Sequence, residues 1–182
     1  ALSEVIENQI EKSQVNEMQG HLLVISDTTS INLDQHLGRL KAEGLGYIGG
    51  GAGQKIGFHL HPALVLSAES FQVLGLSSVQ VWVREEVNKE RKKKYKKLPI
   101  EEKESNKWLK AAAESKQNLA QAEMITMIGD RESDVYEELA RVPDERTHLL
   151  IRSYQNRRLK DGGSLNERLA EQAVSAEYQL KI

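Results

Sequence analysis

The stretch Met124-Ile-Thr-Met-Ile-Gly-Asp-Arg-Glu-Ser-Asp-Val-Tyr-Glu-Glu-Leu139 decides the fold class. Met124 to Ile128 is a short apolar run, suited to a strand covered on both faces. Gly129 breaks the run and Asp130 follows it. Ser133 is placed to cap a helix with acids in its first turn, and Val135, Tyr136, Leu139 and Val142 give that helix one apolar stripe. A strand, an aspartate and a helix make one unit of an α/β sheet, and such sheets bind ligands beyond the carboxyl ends of their strands. Leu22 to Ser26 has the same form, apolar up to Ser26 and then Asp27-Thr28-Thr29-Ser30. The chain therefore reads as organised around two strands that each run out into an aspartate.

Bulk properties narrow the class. A chain of 182 residues with a net charge of −2 is large enough for one domain with a real core. Cysteine is absent, which excludes disulfides and thiolate metal sites. No apolar run approaches the ~18 residues of a membrane span. The first residues show no basic segment leading into an apolar one, so no signal peptide is expected. The chain does not begin with Met, and Tyr178 to Ile182 alternates like a strand cut short, so it reads as a fragment of a longer protein. Charge is uneven: residues 91–97 are basic apart from Tyr95, while acids crowd residues 132–145.

The remaining segments fill in the architecture. Leu2, Ile6 and Ile10 recur every four residues and predict an opening amphipathic helix. Residues 44–53 contain a literal G-x-G-x-x-G, but a dinucleotide fingerprint must leave a strand and open a helix. This one leads into a strand, so it reads as a connection. Gly57 to Ser67 and Phe71 to Val83 form two strands of an antiparallel hairpin, turning at Ala68-Glu69-Ser70. His59 and His61 share one side of the first of these, where packing or a hydrogen bond is expected rather than a metal. Residues 84–104 are either a solvated connection or a phosphate-contacting loop. Ser105 to Gln121 is a helix with Trp108, Leu109, Ala112 and Leu119 on one face. Thr147 to Ser153 is a fifth strand ending near Arg152, Ser153 and Tyr154. A turn at Gly162-Gly163 and a short helix from Ser164 to Gln172 follow.

If the strands before Asp27 and Asp130 are parallel neighbours, the two carboxylates meet at one edge. Such carboxylates repel each other unless a cation or proton lies between them. Hard divalent ions such as Mg²⁺ favour oxygen ligands of this kind. Two ions ~4 Å apart can activate a water or hydroxyl and stabilise the leaving oxygen of a phosphodiester. The expectation from the residues is metal-dependent phosphoryl transfer, against the bland reading that both acids are helix caps.

Six blocks occur together and in order: Asp27-Thr-Thr-Ser30, the strand pair between Gly57 and Gly75 with His61, Trp82-Val-Arg84, Glu102-Lys-Glu-Ser-Asn-Lys-Trp-Leu109, Asp130-Arg-Glu-Ser-Asp-Val-Tyr136, and Arg152-Ser153. In this the chain resembles the catalytic core of bacterial cut-and-paste DDE transposases of the insertion-sequence-four family, over about residues 20 to 155. The resemblance implies an α/β, ribonuclease H-like fold with a mixed five-stranded sheet flanked by helices, spanning residues 1–182 as a single catalytic-core fragment. It implies nicking, hairpin formation and strand transfer at transposon ends with Mg²⁺ or Mn²⁺, two ions in the complete site. Asp27 and Asp130 are then the catalytic, metal-binding acids, and Thr28, Thr29, Arg131, Arg152 and Tyr154 contact DNA. Tyr154 stands where the family has a lysine. Implied partners are double-stranded DNA and, in the full-length protein, a second copy; the implied location is the bacterial cytoplasm, at the nucleoid. The family's third acid is expected to lie outside this chain, as are its DNA-binding amino-terminal domain and its dimerisation region. Tyr154, Arg157, Asp161 and Arg168 copy the spacing around the third acid, but Asp161 precedes Gly162-Gly163, a turn rather than a helix.

Two rival readings remain. Gly129-Asp-Arg-Glu-Ser-Asp134 also fits a metal motif of haloacid-dehalogenase-like phosphatases, with Asp27 as nucleophile. That family needs an acid two residues after the nucleophile, where Thr29 stands. The other is a DNA-binding or assembly module without catalysis, which the missing third acid keeps open.

Overall fold

The computed structural model describes residues 2–36, 39, 45–48, 55–84 and 95–176. The chain divides into two compact units, Ala1–Arg152 and Ser153–Ile182.

The first unit is mixed α/β, built on a seven-stranded mixed sheet. Its strands are β1 (His21–Ser26), β2 (Thr29–Asn32), β3 (Gly46–Tyr47), β4 (Ile56–Ser67), β5 (Val73–Trp82), β6 (Met124–Gly129) and β7 (Thr147–Ile151). Among the described residues its helices are α1 (Leu2–Lys12), α2 (Asn106–Asn118) and α3 (Tyr136–Arg141). β4 and β5 form the expected antiparallel hairpin. β1 runs antiparallel to β4 on one side and parallel to β6 on the other, and β7 is parallel to β6.

The sheet has seven strands rather than five because two short ones escaped the periodicity reading. β2 continues the line of β1 along the same edge of the 12-residue β4, after a break at Asp27-Thr28. A Cβ on Gly57 would lie 1.9 Å from the Ile31 carbonyl oxygen, so glycine is what lets β2 close on β4. β3 is two residues long, too short for alternation to register. The rest of the glycine-rich run, most of the basic run at 91–97, and the strand-like residues 178–182 lie outside the described residues.

Alternation decides which face is covered. Leu22 and Val24 of β1, Ala63 and Val65 of β4, and Ile125 and Met127 of β6 point to one side and pack under Ala112 and Leu119. Lengths of apolar side chain on this face, joined by Val15 and Val142, make the core. Trp108 and Ala111 of α2 are buried with it. On the opposite face Ile25 and Leu150 stay exposed.

The second unit holds α4 (Leu165–Glu171), capped by Ser164 in a reciprocal pair with Glu167. Asp161 lies in a turn before it and is ion-paired with Arg168.

Candidate active site

Register brings the predicted acids to the same edge. Ile25 of β1 pairs with Ile128 of β6, and Ile128 pairs with Leu150 of β7. Two residues further along each strand stand Asp27, Asp130 and Arg152. Neighbouring strands lie ~4.8 Å apart, so the three positions form a row across the carboxyl ends of β1, β6 and β7. All three residues are exposed. The Arg152 N–H donates to the Gly129 carbonyl at 3.3 Å, which keeps Arg152 against the Asp130 turn.

Each carboxylate is oriented by its own backbone. Asp27 Oδ1 accepts from the Thr28 N–H at 2.7 Å, and Asp130 Oδ1 accepts from the Glu132 N–H at 2.7 Å. The second contact caps a 3₁₀ turn, Arg131–Ser133. One oxygen of each acid is thus held and the other carries no hydrogen bond among the described residues.

Behind this edge lies a knot of aromatic and charged side chains that ties together the blocks singled out in the sequence. Arg84 donates through Nε and Nη2 to both carboxylate oxygens of Glu104, joining the end of β5 to the approach of α2. Lys107 is largely buried, with its ammonium 5.5 Å from the Trp82 ring and 5.6 Å from the Trp108 ring. It reaches Glu132, beside Asp130, at 3.5 Å. His61 packs edge-on against Trp108, and His59 stacks on Trp82.

Each of the two histidines bonds a hydroxyl through its Nδ1. Thr28 Oγ1 and His61 Nδ1 share a hydrogen bond of 2.9 Å, and Ser30 Oγ and His59 Nδ1 share one of 3.0 Å. Burial pushes His61 down to about 4, with the Lys107 charge acting the same way and the Asp27 carbonyl and carboxylate opposing it. His59 is lowered too, by burial and by Arg84. Both are neutral at pH 7, and the Thr28 hydroxyl points inward to His61. Thr29 and Arg131 are exposed. Tyr154 is exposed and belongs to the second unit.

The reading of Ser133 as a helix cap is corrected. It is completely buried, and its hydroxyl donates to both carboxylate oxygens of Glu138, at 2.9 Å each. Val135 is the cap position of α3, without a side-chain bond. The apolar stripe is corrected as well: Tyr136 and Leu139 are exposed, while Val142 and Glu138 face the core. Burial pushes the Glu138 carboxyl up to about 7, against the Ser133 hydrogen bond. Sequence reasoning missed Glu138 although a signal was present, since its spacing of four from Val142 puts both on one helical face.

Among the described residues no cluster of three or more His, Cys, Asp or Glu side chains is arranged to hold a metal ion. The site offers a pair of carboxylates. No protein-family model matches the chain. No helix among the described residues is long and apolar enough to cross a membrane.

Proposed function

We propose that the chain is the catalytic-core region of a cut-and-paste DNA transposase, acting in metal-dependent phosphoryl transfer at transposon ends. The observation that carries this is the pairing of Ile25 with Ile128 and of Ile128 with Leu150, after which Asp27, Asp130 and Arg152 follow just past three adjacent parallel strand ends. Two exposed carboxylates, each with one oxygen free, suit a hard divalent ion, and an arginine beside them suits a phosphodiester. The strand arrangement supports a ribonuclease H-like reading: an antiparallel hairpin joined through β1 to two parallel strands. The motif resemblance is to the insertion-sequence-four family, and within it to transposon-five transposase.

In this reading Asp27 and Asp130 would hold Mg²⁺ or Mn²⁺, which would supply water activation and stabilisation of the leaving oxygen. The chain's own residues do the rest. Thr28 and Glu132 N–H groups orient the acids, and Arg152, Arg131 and Thr29, all exposed, would contact DNA. Partners are double-stranded DNA and a second copy in the full-length protein. With two acids present, the chain is expected to bind a divalent ion weakly and not to cut DNA.

The phosphatase reading is less well supported, since Thr29 replaces its second acid and pairs with Leu60 in β2. A non-catalytic DNA-binding module is favoured by one observation, the absence of a third acid from the cluster among the described residues. The test is Mn²⁺ titration of the chain, together with Asp27→Asn and Asp130→Asn in a full-length protein. The transposase reading expects Mn²⁺ uptake that either substitution removes, and loss of end cleavage with end binding retained. Absence of Mn²⁺ uptake, or cleavage surviving both substitutions, refutes it.

A further inference from the structure

We propose that Ser133 and Glu138 form a buried clamp that sets the position of Asp130, which makes Glu138 a positioning residue for the carboxylate edge. The metal part of this inference rests on the function proposed above; the clamp itself does not.

The turn that carries Asp130 is held weakly by its own backbone. Ser133 N–H reaches the Asp130 carbonyl at 3.1 Å, Asp134 N–H the Arg131 carbonyl at 3.4 Å, and, at the exit from the turn, Val135 N–H the Ser133 carbonyl at 2.7 Å. A three-residue 3₁₀ turn has little cooperativity of its own. Besides the Lys107 contact to Glu132, it is attached through the Ser133 side chain, which is wholly buried and tied to Glu138 on α3. The turn can sit this deep because residue 129 has no side chain. A Cβ there would lie 2.5 Å from both Cβ and Oγ of Ser133. Asp130 is therefore held on one side by strand β6 through Gly129 and on the other by the clamp.

Glu138 is an expensive choice for mere packing. It occupies a buried position between Val135 and Val142, where an apolar residue would avoid desolvating a carboxyl. Its carboxyl gives the buried Ser133 hydroxyl a partner that an apolar side chain would withhold. Asp27 has a matching device on the neighbouring strand, where Thr28 is anchored to buried His61. Each acid is thus followed within three residues by a hydroxyl fastened inside the fold. Groups that orient metal-binding side chains through hydrogen bonds commonly tune affinity as strongly as the ligands' own surroundings do.

Ser133→Ala, Glu138→Ala and Glu138→Gln in the 182-residue chain separate the possibilities. Amide hydrogen exchange is read at residues 130–134 without metal, with β6 and β7 as internal reference, and Mn²⁺ affinity is read by titration. Ser133→Ala and Glu138→Ala should speed exchange at the Glu132 amide by about tenfold or more and weaken Mn²⁺ binding by about tenfold. Glu138→Gln keeps an acceptor of the same size and should hold both within about twofold of the parent. Unchanged exchange at the turn in Ser133→Ala overturns the clamp, and so does a Glu138→Gln protein as loose as Glu138→Ala. Faster exchange in Ser133→Ala and Glu138→Ala, when the parent chain takes up no Mn²⁺, upholds the clamp and refutes the metal reading instead.

Discussion

Replacing Glu138 by glutamine should change how stability depends on pH. The Glu138 carboxyl is 3% exposed and its hydrogen-bond partner is an uncharged hydroxyl. Burial raises it from 4.5 to about 7 in the folded chain. Between those values the folded state keeps a proton that the unfolded state has released. Stability then falls as pH rises through this window. The contribution is fully present below about 4.5, is lost by somewhat above 7, and is constant beyond that. At about 1.36 kcal/mol per unit, the span corresponds to roughly 3 kcal/mol. Glu138→Gln does not titrate, so the parent-minus-variant difference should fall by roughly that amount between pH 4.5 and pH 8. Urea unfolding at half-unit steps of pH measures it, and the subtraction removes all other titrating groups. A difference that is flat within about 0.5 kcal/mol, or one that rises with pH, would refute the assignment of a buried carboxyl raised by desolvation.

Four further outcomes are expected. His61 is lowered to about 4, so the folded chain resists a proton that the unfolded chain takes up; stability should drop as pH falls from 6.5 toward 4, and His61→Gln should flatten that limb in acid unfolding curves. Thr28→Val should cost about 1–3 kcal/mol in urea unfolding by leaving buried His61 Nδ1 without its partner, and an unchanged midpoint would count against the anchor. Gly129→Ala should cost about 1–3 kcal/mol through overlap with Ser133, and the loss should shrink in a Ser133→Gly background, which a double-mutant cycle reads. Trp108→Ala should cost about 3–5 kcal/mol in the same assay, because the ring fills the space between His61 and Lys107 under the sheet.

Much of the architecture was legible in the sequence, because local patterns carried it. The alternation in Gly57 to Ser67, the short apolar run at Met124 to Ile128 and the helical spacing around Trp108 each belong to one element, and each is where the pattern put it. The two aspartates after strands could be read for the same reason, since a strand followed by a polar residue and a turn is a local signal. What one chain segment cannot state is its neighbour. That β1 and β6 pair in parallel, with Ile25 beside Ile128, depends on a contact across more than a hundred residues of chain, and that register sets Asp27 and Asp130 just past adjacent strand ends. The role of Ser133 was misread because its cap-like position says nothing of Glu138 folding back over it, and Tyr136 was placed inside because spacing alone does not say which side of α3 meets the core. Sequence by itself determined which of the longer segments become strands and helices and where the acids fall along them. The tertiary structure decided which strand ends lie side by side, which hydroxyls are fastened inside, and which carboxyl is buried, because those outcomes depend on burial and pairing between segments far apart in the chain.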